Sequence, residues 1–457
     1  MLPGVRSPAN RGAVVSRTSL SRILGLGFGI AVIFGGTVGV GILRLPGTVA
    51  GQLGSFWPIM LAWVAGGCYA LMGAISVAEL GAAMPQAGGF YVYSKRAFGA
   101  PVGFAVGWAD WLNNCAVVAY GAVAAAEYAG ALVPGMATRQ PLVAIALLFL
   151  FCALHWIGLR LSCSLQKAIS SVTAITFLTL AVACFLHPIR TNAATMATGF
   201  AGGSGLLQML APVVAALRAI VVTYDGWYEA IYFTEEDTDV SKHLPRAMIG
   251  GVASVHGLYV LMNLAFLHVL SIPALAVSRL PAADAAQVVF QAWSGRFVTA
   301  LSLLTLASLI SAVLLGAPRI LLAIGRDGLF TERAARVGAG GTPRAALLLS
   351  AATAAVFVAS GKFEDIIAVA AILVAALYCV NYIAVIVLRI REPQMVRPFR
   401  AWGYPLTTVL VLAGSLLFLA AAAHDDPQSA VRASVLLAAA VPAYAWMRWR
   451  QRRPGRV

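Results

Sequence analysis

The stretch FGGTVGVGILRLPG, residues 34–47, places four glycines between Phe34 and Gly41 inside an apolar segment. Glycine costs about 1 kcal/mol relative to alanine within a helix, so the cluster predicts a point where a membrane helix opens or is closely approached. A second apolar segment contains VVTYDGWYEA, residues 221–230, with an Asp-Gly pair near its middle. A charge inside a membrane helix is costly and usually faces a cavity or a partner. Both segments therefore predict helices that are interrupted within the membrane.

The composition of the whole chain indicates a membrane protein. Of the 457 residues, 60% are hydrophobic and 11% are charged, and the mean hydropathy is +0.86. A soluble particle of this size would have too few polar groups to cover its surface, which excludes the soluble, disordered and secreted disulfide-rich classes. Helices satisfy their own backbone groups in lipid, and strand-type alternation is absent from the sequence. We therefore expect an all-α polytopic membrane protein.

Twelve apolar runs are long enough to be transmembrane helices, since a spanning helix needs about 20 mainly apolar residues. They form one helical domain at residues 24–447, with a tail at residues 1–23 and a basic tail at residues 448–457. The predicted spans lie near residues 24–50, 56–82, 101–131, 141–159, 168–187, 206–235, 246–270, 296–324, 344–360, 364–390, 405–423 and 429–447.

The charge distribution predicts the orientation. Lysine and arginine outnumber aspartate and glutamate by 32 to 17, for a formal net charge of +15. With a cytoplasmic N-terminus and twelve crossings, most of these cations fall in cytoplasmic segments, which follows the positive-inside rule. The excess of lysine and arginine then indicates contact with an anionic inner leaflet, and no nucleic-acid partner is needed to explain it. We expect a bacterial-type inner (plasma) membrane and both termini in the cytoplasm.

The positions of the two interrupted spans predict the architecture. Interruptions in the first and sixth of ten core spans are typical of two inverted five-helix repeats, here spans 1–5 and 6–10, with a binding site between the breaks. The last two spans would be peripheral. The alternative is that the glycines only permit close helix packing, which the Gly35/Gly39 spacing fits. The Asp225-Gly226 pair in the sixth span favours a broken-helix site.

Five motifs lie in a characteristic order along these spans. They are GTVGVGILRLPG at 36–47, AELGAAMPQAGGFYVY at 78–93, TYDGWYEAIYFTEE at 223–236, PRILLAIGRDGLF at 318–330 and RPFRAWGYP at 397–405. Together they resemble the motifs of the amino acid–polyamine–organocation (APC) superfamily, and within it those of bacterial relatives of the L-type amino acid transporters. Each motif is moderately specific, and their order and position relative to the spans make the resemblance strong.

The resemblance implies the inverted-repeat fold and a secondary active transporter. Such a permease or exchanger moves amino acids or related amines by alternating access, as an antiporter or symporter. It implies that N–H groups at the first break bind the substrate carboxylate and that carbonyl groups at the second break bind its ammonium group. The implied substrate-binding residues are Thr37, Gly39, Val40, Gly41, Val222, Thr223, Tyr224 and Asp225.

Two departures from the family pattern concern the substrate and the coupling ion. Val40 stands where the family has serine, which removes a hydroxyl near the substrate carboxylate. Thr173 aligns with a lysine that sodium-independent relatives carry in the fifth span, so sodium and a proton both stay open as coupling ions. The hydroxyls of Thr173, Ser308 and Ser311 are candidates for a sodium site. Bonding to the preceding turn of their own helices is the alternative.

Asp225 has two interpretations. It can cap the inner half of the sixth span by accepting hydrogen bonds from the N–H groups of Trp227 or Tyr228. It can also act as a functional acid that meets the substrate ammonium group. Tyr224 and Trp227 are candidates to gate or line the pocket, with ordinary packing as the alternative for both.

Charged residues near the inner ends of the spans are candidates for a gate. Glu79, Arg326 and Asp327, paired with Lys95, Arg96 or each other, are predicted to form an inner gate whose ion pairs break on opening. Static anchoring at the interface is the alternative.

Two further groups of charges are expected to be structural. Arg44 and Arg218 are predicted to pair with Glu127 and Asp110 of the third span. The alternatives are that they snorkel toward the interface or that they attract an acidic substrate. The acidic run at residues 235–239 is predicted to form a solvated loop face.

The sequence contains no arrangement typical of an enzyme. The six histidines are scattered, no His-x-x-x-His or Cys-x-x-Cys pair occurs, and Gly-x-Ser-x-Gly and P-loop motifs are absent. We expect no enzymatic activity, no cofactor and no metal. The expected partners are an amino acid or amine, a coupling ion and the lipid bilayer. An integral-membrane enzyme and a nontransporting sensor with a transporter fold are the alternatives.

Overall fold

The computed structural model describes residues 19–188, 206–360 and 363–451. Within these ranges the chain is helical, and the β contact present is one isolated parallel bridge between Leu24 and Asp237. The first half of the chain contains α1 Leu26–Thr37, α2 Val40–Leu53, α3 Phe56–Ala83, α4 Phe90–Phe98, α5 Ala100–Leu132, α6 Pro134–Ala137, α7 Gln140–Ile157, α8 Leu159–Leu186 and α9 Leu206–Thr223.

The second half begins with a 3-10 helix at Glu229–Glu236, which is called the sixth-span 3-10 helix below. A second, three-residue 3-10 helix lies at Gln291–Trp293. The α-helices of this half are α10 Val240–Val269, α11 Ile272–Val277, α12 Pro281–Phe290, α13 Ser294–Arg326, α14 Arg344–Ser360, α15 Phe363–Arg391, α16 Leu406–Asp425, α17 Pro427–Ala438 and α18 Ala440–Gln451.

These helices confirm the prediction of an all-α polytopic membrane protein. Nine helices of the described residues are long and apolar enough to cross a membrane, and α1 with α2 make a tenth as a bent pair. The spans predicted at 206–235 and 344–360 correspond to shorter apolar helices, α9 and α14. The count of twelve crossings and the inverted repeats stay predictions. Residues 1–18 and 452–457 of the predicted tails lie outside the described residues.

Helix α5 lies in the middle of the bundle because small residues line much of it. It packs along α13, α15, α14 and α7, and buried alanines and glycines such as Ala116, Ala119 and Gly121 occupy the contact surfaces. Small side chains let membrane helices approach closely, where van der Waals packing replaces the hydrophobic effect. The broken pair α1 and α2 packs against α10 and α9 respectively.

The helices α1 and α2 define the two ends of the bundle. The N-terminal face is the end where α1 begins, and the opposite face is the end where α2 finishes.

On the N-terminal side, Glu236 is fully buried and receives two hydrogen bonds from the Arg319 guanidinium, at 3.1 and 2.9 Å. The backbone N–H groups of Ile23 and Leu24 both donate to the Glu236 carbonyl at 2.9 Å. The prediction that this acidic run is a solvated loop is wrong for Glu236, because Arg319 neutralises it in the core.

Further ion pairs close the N-terminal face: the pairing of Lys95 with Asp327 is as predicted, whereas Glu79 and Arg326 have other partners. Glu79 pairs with Arg389 and with Arg397 rather than with Lys95 or Arg96. Glu79 has these partners because α3 and α15 pack side by side, which brings Glu79 to the end of α15.

The predicted gate residues Arg326 and Asp327 have separate partners. Arg326 pairs with Glu235 at 2.6 Å, and Lys95 pairs with Asp327 at 2.6 Å. The Tyr91 hydroxyl also donates to the Asp327 carboxylate. These bonds tie the end of α13 to α4 and to the sixth-span 3-10 helix.

On the opposite face, one of the two predicted pairings is confirmed. Arg44 lies 3.9 Å from Glu127, as expected. Arg218 instead pairs with Asp425 at the end of α16. Asp110 is not available to either arginine, because it is fully buried in the middle of α5.

We predict that Arg319→Leu destabilises the protein strongly. It leaves the Glu236 carboxylate buried without a cation, and loss of one partner from a buried ion pair costs about 3–5 kcal/mol. Thermal unfolding in detergent measures the effect. The control is Arg432→Leu, which breaks the pair with Asp365 whose side chains are 51% and 48% exposed, and should cost about 1 kcal/mol or less. Equal melting temperatures for the two variants would contradict the prediction.

Candidate functional site

The first predicted break is present between α1 and α2. Helix α1 ends at Thr37, α2 begins at Val40, and the two axes are bent by 51°. Gly39 precedes α2 with an extended backbone, and no side-chain hydrogen bond caps α2 among the described residues. The first N–H groups of a helix have no intrahelical acceptor. The start of α2 therefore offers uncapped donors and a positive dipole end in the middle of the membrane.

The second predicted break is also present, at the end of α9. The α-helix finishes at Thr223, a turn follows, and the sixth-span 3-10 helix begins at Glu229. Gly226 in this turn has φ +99°, a conformation that favours glycine. Its Cα lies so close to the Gly36 carbonyl that a side chain would collide with it. The two breaks are therefore in direct backbone contact.

Tyr259 of α10 joins the two breaks through its hydroxyl group. The hydroxyl lies 3.0 Å from the Thr37 carbonyl and 3.0 Å from the Thr223 carbonyl. Each carbonyl belongs to the last residue of its α-helix. The helix therefore provides no N–H group four residues later to donate to it. Tyr259 is fully buried, and its single hydroxyl proton can be donated to either carbonyl or shared between them, which replaces part of the lost helical bonding. This role could not be predicted from the sequence, because a single tyrosine in an apolar helix is typical of packing.

A cavity of about 120 Å³ lies between the breaks, on the side of the opposite face. Its walls include seven of the eight predicted substrate-binding residues, namely Thr37, Gly39, Val40, Gly41, Val222, Thr223 and Asp225. Residues that the sequence did not single out complete the lining, namely Gly36, Leu45, Tyr120, Leu309 and Ile367, together with Arg44. The Thr37 hydroxyl is buried and has no hydrogen-bond partner in the described part of the chain. The cavity thus combines uncapped backbone groups with apolar walls.

Asp225 occupies the wall between this cavity and a smaller one of about 30 Å³. Its carboxylate accepts a hydrogen bond from the Tyr378 hydroxyl of α15. The capping interpretation named Trp227 and Tyr228 as donors. The bond is instead made by Tyr378, because the turn after Thr223 continues as a 3-10 helix that starts only at Glu229.

The aromatic residues beside Asp225 lie outside the cavity. Tyr224 faces away from it and hydrogen-bonds His256 at 2.8 Å. Trp227 is buried and packs against Tyr228 and Tyr378, with ring centroids 5.5 and 5.4 Å apart. Trp227 therefore lies beneath the cavity, on the side of the N-terminal face.

The three hydroxyls predicted as an ion site have different surroundings. Ser308 lies 3.1 Å from Ser170 and 3.3 Å from the amide nitrogen of Gln166. That amide also reaches the carbonyl of Ala31 in α1 at 3.4 Å. The buried hydroxyls of Thr173 and Ser311 have no hydrogen-bond partner among the described residues. Gln166 and Ser170 were missed in the sequence, although both precede Thr173 on one polar strip of the fifth span.

The fold and this cavity define a class of protein: a helical membrane protein with a small cavity between two broken helices. Comparison with known proteins identifies the family. Residues 29–445 match the model of the family described as amino acid permease, which covers most of the chain. The chain therefore belongs to the amino acid permease family, as the motifs predicted.

Individual relatives agree with this assignment. The serine/threonine exchanger SteT of Bacillus subtilis (strain 168) is 26% identical over 445 residues, covering 94% of this chain and 98% of SteT. The b(0,+)-type amino acid transporter 1 of Mus musculus is 25% identical, covering 90% and 84% respectively. The Asc-type amino acid transporter 1 of Mus musculus is 24% identical, covering 84% and 73%. The prediction of amino acid transport is confirmed, and the enzyme and sensor alternatives are not favoured.

We predict that Gly41→Leu abolishes amino acid uptake. A Cβ at Gly41 would lie 2.9 Å from the Thr223 Cγ2 atom and 3.0 Å from the Thr223 Cα atom, so a larger side chain fills the cavity at the start of α2. Uptake into proteoliposomes measures the loss. The matched control is Gly27→Leu in α1, where a Cβ would meet nothing within 4 Å. Normal uptake by Gly41→Leu would refute the position of the site.

We predict that Tyr259→Phe weakens the join between the breaks. It leaves the Thr37 and Thr223 carbonyls without a donor, and a buried unsatisfied group costs about 1–3 kcal/mol. The melting temperature in detergent should fall and amino acid uptake should slow. Tyr69→Phe serves as control, because it removes a hydroxyl bonded to Ser415 of α16, away from the cavity. If both variants transport like the wild-type protein, Tyr259 is not the link.

Proposed function

We propose that this protein exchanges small neutral amino acids across an inner membrane by alternating access. The observation that supports it most directly is the cavity of about 120 Å³ between the two breaks. Sites for drug-sized ligands measure roughly 300–1,000 Å³, so this cavity fits only a small molecule. Leu45, Leu309 and Ile367 give it apolar walls, which disfavour a charged side chain on the substrate.

The two ends of the cavity suit the two charges of an amino acid. We assign the substrate carboxylate to the uncapped N–H groups near Val40 and Gly41, aided by the free hydroxyl of Thr37. We assign the ammonium group to the carbonyls of Val222, Thr223 and Asp225, where α9 ends. The Asp225 carboxylate lies on the same wall. Because backbone groups supply the contacts, the loss of the family's serine at position 40 is tolerated.

The relatives favour an amino acid with a short side chain and an exchange mode. SteT is named as a serine/threonine exchanger, and the match extends over nearly its whole length. The narrow cavity of this chain is consistent with that substrate size.

Alternating access needs a second route, toward the N-terminal face. A cavity of about 1070 Å³ lies there, lined by Lys95, Arg326, Asp327, Glu235 and other residues. We propose that this cavity is the cytoplasmic vestibule and that the pairs Lys95–Asp327 and Arg326–Glu235 separate when the protein opens inward. Trp227 lies between the two cavities and would move at the same time. Glu79 would hold α3 and α15 together throughout.

The remaining parts of the proposal follow from the family. We propose twelve spans, with inverted repeats formed by spans 1–5 and 6–10, and both termini in the cytoplasm. A sodium site at Thr173, Ser308 and Ser311 stays a prediction. The amide of Gln166 already donates toward Ser308 and Ala31, which leaves fewer free oxygens for a cation.

Counterflow into proteoliposomes tests the proposed function. Vesicles are loaded with unlabelled L-serine, and the entry of labelled L-serine, L-threonine, L-alanine, L-tryptophan and L-arginine is compared, in sodium and in choline buffer. We expect entry of the three small amino acids only, dependent on the internal amino acid and independent of sodium. Selective entry of L-tryptophan or L-arginine would refute the size argument. Entry that requires sodium would instead support the hydroxyl ion site.

A further inference from the structure

Two buried carboxyl groups lie between the cavities without a cation. Asp110 is in the middle of α5 and has no exposed surface, and Glu229 begins the sixth-span 3-10 helix and is 1% exposed. Among the described residues, no lysine, arginine or histidine nitrogen lies within 4.0 Å of either group. In the same core, Glu236 has Arg319 as its partner. Asp110 and Glu229 thus differ from Glu236, whose charge is offset by an arginine.

The hydrogen bonds around this pair leave too few donors. Asp110 Oδ1 accepts from the Tyr232 hydroxyl at 2.7 Å and from the Asn114 amide at 3.2 Å. Asp110 Oδ2 and Glu229 Oε2 are buried and accept nothing from the described residues. The side-chain oxygens of Asn113 and Asn114 are also buried without a donor. A buried polar group without a partner is costly, and a proton on a carboxyl group supplies a missing donor.

The electrostatic surroundings favour a proton there as well. Asp110 and Glu229 interact with each other and with Asp225 through space. Two like charges in a low-dielectric core repel strongly, so both cannot stay ionised at low cost. Other titratable or charged groups on the packed elements include Tyr93 of α4, Cys115 and Tyr120 of α5, Tyr228 and Tyr232 of the sixth span, Tyr259 of α10, Tyr378 of α15, Arg319 of α13 bound to Glu236, and Glu79 of α3 bound to Arg389 and Arg397.

The position of Glu229 connects this pair to the first break. A Cβ on Gly36 would lie 2.5 Å from the Glu229 Cγ atom, and a Cβ on Gly316 would lie 3.0 Å from Glu229 Oε2. The side chain is therefore held between α1 and α13, one residue before the end of α1 at Thr37. Ionisation of Glu229 at low cost requires water or a donor beside Oε2, where α1 and α13 now pack closely.

We propose that Asp110 and Glu229 form a proton-binding site whose proton is released when an amino acid binds. The direction of coupling, which rests on the proposed function, follows from Asp225. A substrate ammonium group beside Asp225 offsets the negative charge that disfavours ionisation of the pair. The O–H bond of one carboxyl group then breaks, and the proton passes to water in the opened cavity. By linkage, added protons weaken amino acid binding by the same factor.

The first test measures the proton itself and needs no substrate. Infrared difference spectroscopy of the full-length protein in detergent, with exchange into deuterated water, detects the C=O stretch of a protonated carboxylic acid at neutral pH. We expect this band in the wild-type protein and its loss in Glu229→Gln or Asp110→Asn. The control Glu332→Gln removes an exposed carboxylate and should keep the band. A wild-type spectrum without the band overturns the site, even if a variant fails to fold.

The second test measures the coupling. L-serine is added to the purified protein in weakly buffered solution with a pH-sensitive dye, and binding is followed in parallel by calorimetry. We expect release of up to about one proton per bound L-serine, and a counterflow KM that rises by up to about tenfold per pH unit as the pH falls. Glu229→Gln should release no proton and should remove the pH dependence of KM, whereas Glu332→Gln should behave like the wild-type protein.

The outcomes separate the two proposals. Binding of L-serine without proton release by the wild-type protein, or proton release that persists in Glu229→Gln, overturns the coupling and leaves the proposed function intact. Failure of every small amino acid to bind overturns the proposed function and the coupling with it. The infrared band then decides whether the proton site exists independently.

Discussion

The structure depends on one constraint: backbone groups that are released from a helix inside a membrane must find other partners. Two helices end in the middle of this bundle, at Thr37 and Thr223, where water is scarce and an unpaired N–H or C=O group is costly. One hydroxyl, on Tyr259, lies 3.0 Å from the last carbonyl of both helices. The N–H groups at the start of α2 are left uncapped, and they face the cavity. The breaks cost stability, and they also leave backbone groups free beside the cavity, where we propose that the substrate binds.

The buried charges of the protein are of two kinds, and the difference has a physical origin. Glu236 and Glu79 are held by arginines with hydrogen-bonded geometry, so their desolvation is offset by Coulomb attraction. Asp110 has only tyrosine and asparagine partners, and Glu229 Oε2 accepts no hydrogen bond from the described residues, so no cation neutralises either carboxyl group. The first kind fixes helices to one another at the N-terminal face. The second kind lies between the two cavities, where a change of charge would accompany a change of conformation.

The asymmetry between the two faces follows from the same distribution. Ion pairs and the Tyr91 hydroxyl link α4, α13 and the sixth-span 3-10 helix at the N-terminal face. At the opposite face, the nearest pair to the cavity is Arg44 with Glu127, whose separation of 3.9 Å and partial exposure give it less energy. The cavity lies on this weaker side. The ion pairs that link the helices are therefore concentrated at the N-terminal face.

The sequence by itself determined the helical class, the approximate positions of the spans and the two breaks. These features are local: apolar length, a glycine cluster and an Asp-Gly pair act within a few turns of one chain segment. Only the tertiary structure decided which groups meet. Tyr259 and Thr37 are separated by 222 positions, and Arg319 and Glu236 by 83. Their contacts, like the isolation of Asp110 and Glu229, arise from helix packing, and the pattern along each helix carries no information about the neighbour that packing brings beside it.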